Sequence, residues 1–248
     1  MKAGNVLRAL IVLLILAGIV LGSYYYHLYI FGAKDAVMER EQKAGDLAYT
    51  ALVNTIEADD ANYALTVLIN PAFGGLNRGL ERDGLNEADV VLKVARYVQS
   101  LNDNPSVRIV LTRDTDTNPT DEQRLNLIDI AKPDIILDLH ISDDEDVETM
   151  GTKVYYDDSY YDYHLTNDRL ADVIERGIVG RCETMAAGIS PLEADSNEFI
   201  SGHKIPAVKV SIGYISNALE RQAMGSEAYL QNVALGIIDA ITELTGEE

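Results

Sequence analysis

Short apolar runs alternate with amphipathic stretches along most of the chain, and this alternation predicts an α/β fold. Five runs rich in residues that favour β-strands have the length of a strand, namely Leu65–Ile69, Val107–Leu111, Ile135–His140, Thr152–Tyr156 and Ala207–Ile212. Helical patterns separate or follow them, at Glu87–Leu101, Asp121–Ala131, Asp162–Ile178 and Glu227–Leu244. Apolar strands that alternate with helices are typical of a mostly parallel, twisted sheet with helices on both faces. We therefore predict such a sheet within residues 65–248.

The N-terminus has a different pattern, a single long apolar run. Lys2 and Arg8 precede residues 9–31, which contain no charged side chain and exceed the roughly 20 residues that a helix needs to cross a bilayer. Tyrosines crowd the C-terminal end of the run, where an interfacial aromatic belt would lie. The length disfavours a cleaved signal peptide. We predict an uncleaved, single-pass anchor in the cytoplasmic membrane, with residues 1–8 inside and the C-terminal domain extracytoplasmic.

Residues 32–64 connect this anchor to the first predicted strand. From Lys34 to about Asp60 they are rich in Ala, Glu, Lys and Leu, with apolar positions at helical spacing. This pattern predicts an amphipathic, juxtamembrane linker helix. Its simplest role is that of a spacer, and partner binding is the alternative.

Charge and cysteine content narrow the classes of function. The net charge is -20, from 20 Lys and Arg against 40 Asp and Glu. Because no Lys/Arg cluster is present to neutralise phosphates, nucleic acid is excluded as a partner. Cys182 is the only cysteine, which excludes an intrachain disulfide and a cysteine-based zinc cluster. The acidic run 143–148 lacks the ligand spacing of an EF-hand and is interpreted as a solvated loop.

Several motifs occur in an order that resembles the zinc-dependent N-acetylmuramoyl-L-alanine amidases, which cut the bond between the peptidoglycan sugar and its stem peptide. Residues 70–75 read NPAFGG, where the family has D-P-G-H-G-G, and residues 206–217 read PAVKVSIGYISN, where the family has P-A-V-L-V-E-x-G-F-x-S-N. Between them lie DGLNE at 83–87, LTRDTD at 111–116 and DIILDLH at 134–140. The resemblance implies an amidase-like domain over residues 65–248.

The resemblance also implies that the chemistry is incomplete. In the family, two histidines and a glutamate hold zinc, with a fourth position open for water, and a separate glutamate moves the proton. By position, Glu87 and His140 are the retained ligands, Phe73 replaces the other histidine and Ser211 replaces the catalytic glutamate. A phenyl ring offers no lone pair to a metal, and a serine hydroxyl does not ionise near neutrality. The resemblance thus implies no catalytic residue, no complete metal site and no cofactor.

A metal site rebuilt from other donors is the alternative. Asp138 precedes His140 by two residues, so both side chains project from the same face of a strand. Together with Glu87 they would offer oxygen and nitrogen donors to a divalent ion such as zinc. Otherwise Asp138 is a polar residue at the end of a strand that binds a neighbouring backbone N–H.

Three functions follow from these alternatives. The expected one is a membrane-anchored, extracytoplasmic amidase-like domain that is catalytically inactive and binds peptidoglycan fragments or pairs with cell-wall proteins. The second is an active metal-dependent amidase that uses the rebuilt site at Glu87, Asp138 and His140. The third is a structural domain whose cleft binds nothing.

A cluster of tyrosines offers either a glycan-stacking platform or a cover for a sheet edge, and it comprises Tyr155, Tyr156, Tyr160, Tyr161 and Tyr163.

Overall fold

The computed structural model of the chain describes residues 3–59, 61–159, 164–193 and 199–246. The chain forms two compact units, Met1–Ala44 and Gly45–Glu248. Helix α1 (Ala3–Ala58) begins in the first unit and ends in the second. Its stretch from Ile15 is long and apolar enough to cross a membrane, and none of the apolar window is buried. The predicted anchor and residues 32–58 of the predicted linker therefore lie in one helix.

The second unit is built on a six-stranded sheet with the strand order β4-β1-β5-β8-β6-β7. The strands of this sheet are β1 (Leu65–Pro71), β4 (Val107–Leu111), β5 (Ile135–Ser142), β6 (Thr152–Tyr156), β7 (Ala186–Pro191) and β8 (Ala207–Tyr214). Two short strands, β2 (Glu81–Arg82) and β3 (Leu85–Asn86), form a separate hairpin. All neighbouring strands of the large sheet are parallel except β6 and β8. The prediction of a mostly parallel sheet is confirmed.

Five further helices complete the unit, namely α2 (Glu87–Leu101), α3 (Asp121–Ala131), α4 (Asn167–Cys182), α5 (Ala218–Met224) and α6 (Glu227–Thr245). Asn86 caps α2 by accepting a hydrogen bond from the N–H of Asp89, and Thr120 and Gln123 form a capping box on α3. The predicted helix start at Asp162 lies outside the described residues, as do Tyr160, Tyr161 and Tyr163. Residues 164–166 are not helical, so the described part of this helix begins at Asn167.

Each face of the sheet has its own core. Helices α2, α4 and α6 cover one face, where Val67, Leu137 and Val208 are completely buried. Helix α3 and the end of α1 cover part of the other face, over Leu68 and Ile136. Because side chains alternate along a strand, the positions that follow Leu68 and Ile136 on this second face are polar. Parallel strands bring their carboxyl ends to one edge, where α/β proteins place their sites.

Candidate functional site

Four sequence-predicted positions meet at the carboxyl ends of β1, β5 and β8. Phe73 lies in the turn that follows β1, Glu87 opens α2, and His140 on β5 pairs in register with Ser211 on β8. The Phe73 ring meets the His140 ring edge to face, with centroids 5.7 Å apart and planes at 88°. The structure thus brings these side chains together as the resemblance implies.

The turn that carries Phe73 has an uncommon backbone. Phe73 adopts a φ of 61°, in the left-handed region that residues with a side chain rarely occupy. Two buried arginines hold this turn by its carbonyl oxygens. Arg113 donates to Pro71 and Ala72, and Arg124 donates to Phe73 itself over 3.1 Å. Burial, together with the charge of Arg124, lowers the pKa of Arg113 to about 10, which leaves Arg113 charged near neutrality. Burial also lowers the pKa of Arg124.

His140 lies between two buried carboxylates. Its Nδ1 is 2.9 Å from Oε1 of Glu87, and its Nε2 is 3.1 Å from Oδ2 of Asp138. Burial disfavours the charged imidazole, but the charge of Asp138 and the hydrogen bonds with Asp138 and Glu87 outweigh it and raise the pKa to about 9. At neutral pH the three side chains therefore form a carboxylate–imidazolium–carboxylate cluster. Asp138 and His140 share a face, as predicted.

The carboxylate oxygens of this cluster also accept hydrogen bonds from the surrounding chain. Glu87 receives the backbone N–H groups of Leu80 and Ile141, at 3.0 and 3.2 Å. Asp138 receives the amide of Asn70 over 2.6 Å. The amide oxygen of Asn70 in turn accepts from Thr112 and from Arg124. Every carboxylate oxygen of the cluster thus has a donor supplied by the protein.

These donors, as arranged, do not fit a three-ligand zinc site with an open fourth position. The two ring nitrogens of an imidazole point away from each other, so Glu87 and Asp138 lie on opposite sides of His140. In this arrangement the three side chains do not direct their donor atoms at one metal position. Among the described residues, no group of three or more His, Cys, Asp or Glu side chains is arranged to hold a metal ion. Phe73 contributes only an apolar ring. Metal binding by Glu87, Asp138 and His140 stays a prediction that metal analysis can test.

Ser211 occupies the position where the resemblance places a catalytic glutamate. It is completely buried, and its Oγ lies 2.7 Å from Oγ of Ser142 and 3.3 Å from the carbonyl oxygen of Gly213. The hydroxyl therefore forms its hydrogen bonds within the sheet. Unlike a carboxylate, it cannot act as a base that accepts a proton.

Sequence reasoning missed the polar partners of this site. The roles of Asn70 and Arg124 depend on hydrogen bonds between segments that are 54 residues apart. Lys209 is a further omission: it pairs in register with Asp138, and its charge opposes protonation of His140. One signal was available, since Lys209 interrupts the otherwise apolar run Ala207–Val210.

Comparison with known sequences agrees with this geometry. A family model described as N-acetylmuramoyl-L-alanine amidase matches residues 67–243. The amidase LytC of Bacillus subtilis (strain 168) is 26% identical over 174 residues, which are 70% of this chain and 34% of LytC. The probable cell wall amidase LytH of Staphylococcus aureus is 26% identical over 179 residues, which are 71% of this chain and 57% of LytH. The chain therefore matches only a third to somewhat over half of the length of these relatives.

Solved structures share the fold. The catalytic domain of CwlV, an amidase from Bacillus (Paenibacillus) polymyxa var. colistinus, is 26% identical with a TM-score of 0.65, and the match covers 74% of this chain and 99% of that domain. The CwlD amidase from Clostridioides difficile, solved in complex with the GerS lipoprotein, is 18% identical with a TM-score of 0.65 over 74% of this chain and all of CwlD. At that identity CwlD shows the fold alone. The family model covers well over half of the chain, and the chain belongs to the N-acetylmuramoyl-L-alanine amidase family.

Proposed function

We propose that this protein is a membrane-anchored amidase domain that binds the cell wall, or pairs with wall-remodelling proteins, without cleaving peptidoglycan. The observation that carries the proposal is the contact of Phe73 with His140, whose two nitrogens both face carboxylates. Zinc catalysis requires three convergent protein donors and an open position for water. At this site an apolar ring replaces one donor, and an ion-paired cluster holds the others.

The presence of Ser211 at the position of the family's catalytic glutamate supports the same proposal. General acid–base catalysis contributes about 10²–10⁴-fold to a rate, and the hydroxyl of Ser211 cannot take up a proton from a water molecule near neutrality. An inactive centre removes the need for a metal but leaves the fold of the domain in place. A domain of this kind acts by binding.

The location follows from the N-terminal helix and the family. Residues 15–31 of the predicted anchor lie in the stretch of α1 that is long and apolar enough to span a membrane. Peptidoglycan lies outside the cytoplasmic membrane, so we place the domain on that side, with residues 1–8 in the cytoplasm. The structure of CwlD contains a lipoprotein partner, and a membrane-attached protein is the kind of partner that this domain would meet.

The test combines metal analysis with a binding assay on the full chain in detergent. After incubation with zinc and dialysis, we expect much less than one zinc per protein, no cleavage of muropeptides and retention of the protein on purified peptidoglycan. Stoichiometric zinc that disappears in His140→Ala, together with cleavage, would instead establish an active enzyme with a rebuilt site. Absence of both cleavage and retention would leave a structural domain and overturn the proposed role in wall binding.

A further inference from the structure

Strand β4 lies at one end of the large sheet, so one of its edges has no neighbouring strand. Its neighbour on the other side is β1, and the N–H of Thr112, just beyond β4, donates to the carbonyl oxygen of Ile69 on β1. Because the backbone groups of alternate residues point to opposite edges of a strand, those of Val107, Ile109 and Leu111 point away from β1. Backbone donors and acceptors in such a row are a template for another strand.

Side chains of the domain occupy only part of this free edge. Asn102 donates to the carbonyl oxygen of Val107 over 3.0 Å, and Gln99 donates to that of Ile109 over 3.2 Å. Within the part of the chain that the structure describes, the N–H groups of Ile109 and Leu111 have no hydrogen-bond acceptor. Gln99 is exposed, so a backbone donor of an incoming strand can replace its amide.

A groove with an apolar wall runs along the free edge. It has a volume of about 830 Å³, and the wall is the end of α1, from which Ala48, Ala51 and Leu52 line the groove. The residues of α1 from Gly45 onward belong to the same compact unit as the sheet. A strand rises about 3.3 Å and a helix about 1.5 Å per residue, so β4 and the segment 48–58 of α1 both extend for about 15–17 Å. An extended segment of about five residues matches that length.

The groove has a net negative charge. The charged side chains among its lining residues are Asp59, Arg108 and Asp114. Arg108 forms an ion pair with Asp59 over 3.0 Å and lies over the Tyr63 ring. Asp114, which follows the other end of β4, is exposed and belongs to none of the ion pairs within the described residues. Charge complementarity therefore favours a basic segment as the occupant.

A second copy of this chain fits the groove less well than a segment of another protein does. Each copy has a net charge of -20, so two copies repel each other. A second β4 would also bring its own α1 toward the groove, because the helix flanks the strand in every copy. A single basic segment meets neither obstacle.

We propose that β4 binds an extended segment of another protein by strand addition, with apolar side chains against α1 and basic side chains at the alternate positions. In this mode of recognition, main-chain hydrogen bonds supply affinity and the alternate side chains supply specificity. The inference rests on the proposed function where that function is pairing with a protein, and it names the surface and the kind of partner. Neither depends on the site around His140.

The probe is a short synthetic peptide in which Val alternates with Lys, and calorimetry measures its binding to the full chain in detergent. Thr55→Trp places an indole in the groove that Thr55 lines, and it should weaken binding about 10-fold or more. Thr50→Trp is the matched control and should leave the affinity within about twofold. Thr50 and Thr55 are both exposed on α1, and each hydroxyl donates to the carbonyl oxygen four residues earlier, but Thr50 does not line the groove.

A charge variant tests the choice of a basic segment. Asp114→Asn should weaken binding of the peptide by up to about fivefold at low salt, the size of effect that an exposed ion pair has. The difference between this variant and the wild type should shrink at high salt, because salt screens exposed charges. An unchanged affinity at low salt would refute the charge complementarity.

Modified peptides separate strand addition from simple attraction by charge or by apolar surface. One peptide is N-methylated at every Val and a second at every Lys. Because the amides of alternate residues point to opposite edges of a strand, one modification should abolish binding and the other should be tolerated. The peptide that fails to bind reports the direction of the added strand.

Four outcomes would overturn the inference. They are equal effects of the two N-methylations, equal affinities of Thr55→Trp and Thr50→Trp, no binding of the peptide to the wild-type protein, and dimerisation of the wild-type protein that Thr55→Trp abolishes. The last outcome, measured by sedimentation, would assign the groove to a second copy. Retention on purified peptidoglycan is measured on the same variants and should equal that of the wild type, so failure of strand addition is distinguishable from failure of wall binding.

Discussion

At the residue scale, the centre that we propose to be inactive is a cluster of charged side chains, with His140 between Glu87 and Asp138. Zinc would supply two positive charges to the glutamate and histidine that hold it. Here the imidazolium of His140 supplies one positive charge between Glu87 and Asp138, and the raised pKa of His140, about 9, follows from that position. Arg124 lies behind the cluster, joined to it through Asn70. The buried carboxylates are therefore balanced by protein cations.

The first prediction concerns a variant in which the family's histidine and glutamate are put back at positions 73 and 211. In Phe73→His/Ser211→Glu, zinc binding should appear before hydrolysis does, because Phe73 is already in contact with His140 and a histidine there completes a three-donor set. Hydrolysis should remain weak, since ligands and base must be held to about 0.5 Å by surrounding hydrogen bonds. Those bonds now stabilise an ion pair, and Asn70 and Ala72 stand where the family has Asp and Gly. Zinc per protein after dialysis is the measurement.

The matched control for this prediction is the same double variant with His140→Ala, which should lose the acquired zinc. The single variant Phe73→His should bind zinc more weakly than the double variant does, because its Ser211 offers no carboxylate near the metal. A double variant that folds but binds no more zinc than the parent would contradict the inheritance of the site. It would mean that the side chains at positions 73, 87, 140 and 211 lie close together but do not point their donor atoms at one metal position.

At the element scale, α4 and α6 approach so closely that glycine is required on both. A Cβ built on Gly177 would lie 2.3 Å from the carbonyl oxygen of Gly236, and a Cβ built on Gly236 would lie 2.6 Å from the carbonyl oxygen of Gly177. Both contacts involve backbone, which cannot move aside without separating the helices. This contact supports the core under β6 and β8.

The second prediction follows from that contact. Gly236→Ala should lower the free energy of unfolding by about 1–3 kcal/mol, despite the gain of up to about 1 kcal/mol that alanine brings to a helix interior. Gly180→Ala on α4 is the control, because nothing lies within 4 Å of its added Cβ, and it should be neutral or stabilising. Urea denaturation of the full chain in detergent provides both values. Equal effects of the two changes would refute the packing argument.

The sequence predicts most of the elements because their apolar periodicity reflects burial. Five of the six strands of the large sheet and the main helices were predicted close to their observed bounds. β7 (Ala186–Pro191) was missed because this edge strand is half-exposed or exposed and has no apolar run. The antiparallel pairing of β6 with β8 could not be predicted from the apolar pattern either, since the direction of a strand depends on how the connecting segments run. The positions of Phe73, Glu87 and His140 were predictable from motif order, whereas their hydrogen-bond partners depend on strand register.

The end of α1 shows why a spacer was too simple an interpretation of the linker. Ile56 is buried in the core that includes Leu68 and Ile136, and Arg108 of β4 donates to the carbonyl oxygen of Ile56 over 3.0 Å. Asp59 forms an ion pair with the same arginine. The last turns of the helix are thus packed into the amidase-family domain, and a fragment that begins at the first strand would lack them.

At the scale of the whole molecule, the orientation of the anchor depends on signals that oppose each other. Lys2 and Arg8 precede the apolar run, but Lys34, Arg40 and Lys43 follow it within about 12 residues. Positive charges on either flank favour the cytoplasmic side, and acidic residues contribute little. The charge count alone therefore does not place the N-terminus inside, and the proposed orientation rests on the wall-directed family of the domain.

The third prediction separates these signals in cells. Protease added to intact protoplasts should digest the wild-type domain, because the proposed topology exposes it. Replacing Lys34, Arg40 and Lys43 with Gln should leave it fully digestible, since the opposing flank is then neutral. Replacing Lys2 and Arg8 with Gln should protect a measurable fraction, because the remaining positive charges then favour the reverse orientation. A cytoplasmic marker protein should stay intact throughout, and detergent should make every domain digestible. A wild-type domain that resists protease until the membrane is opened, or that is recovered soluble without residues 9–31, would overturn both the orientation and the access to peptidoglycan on which the proposed function depends.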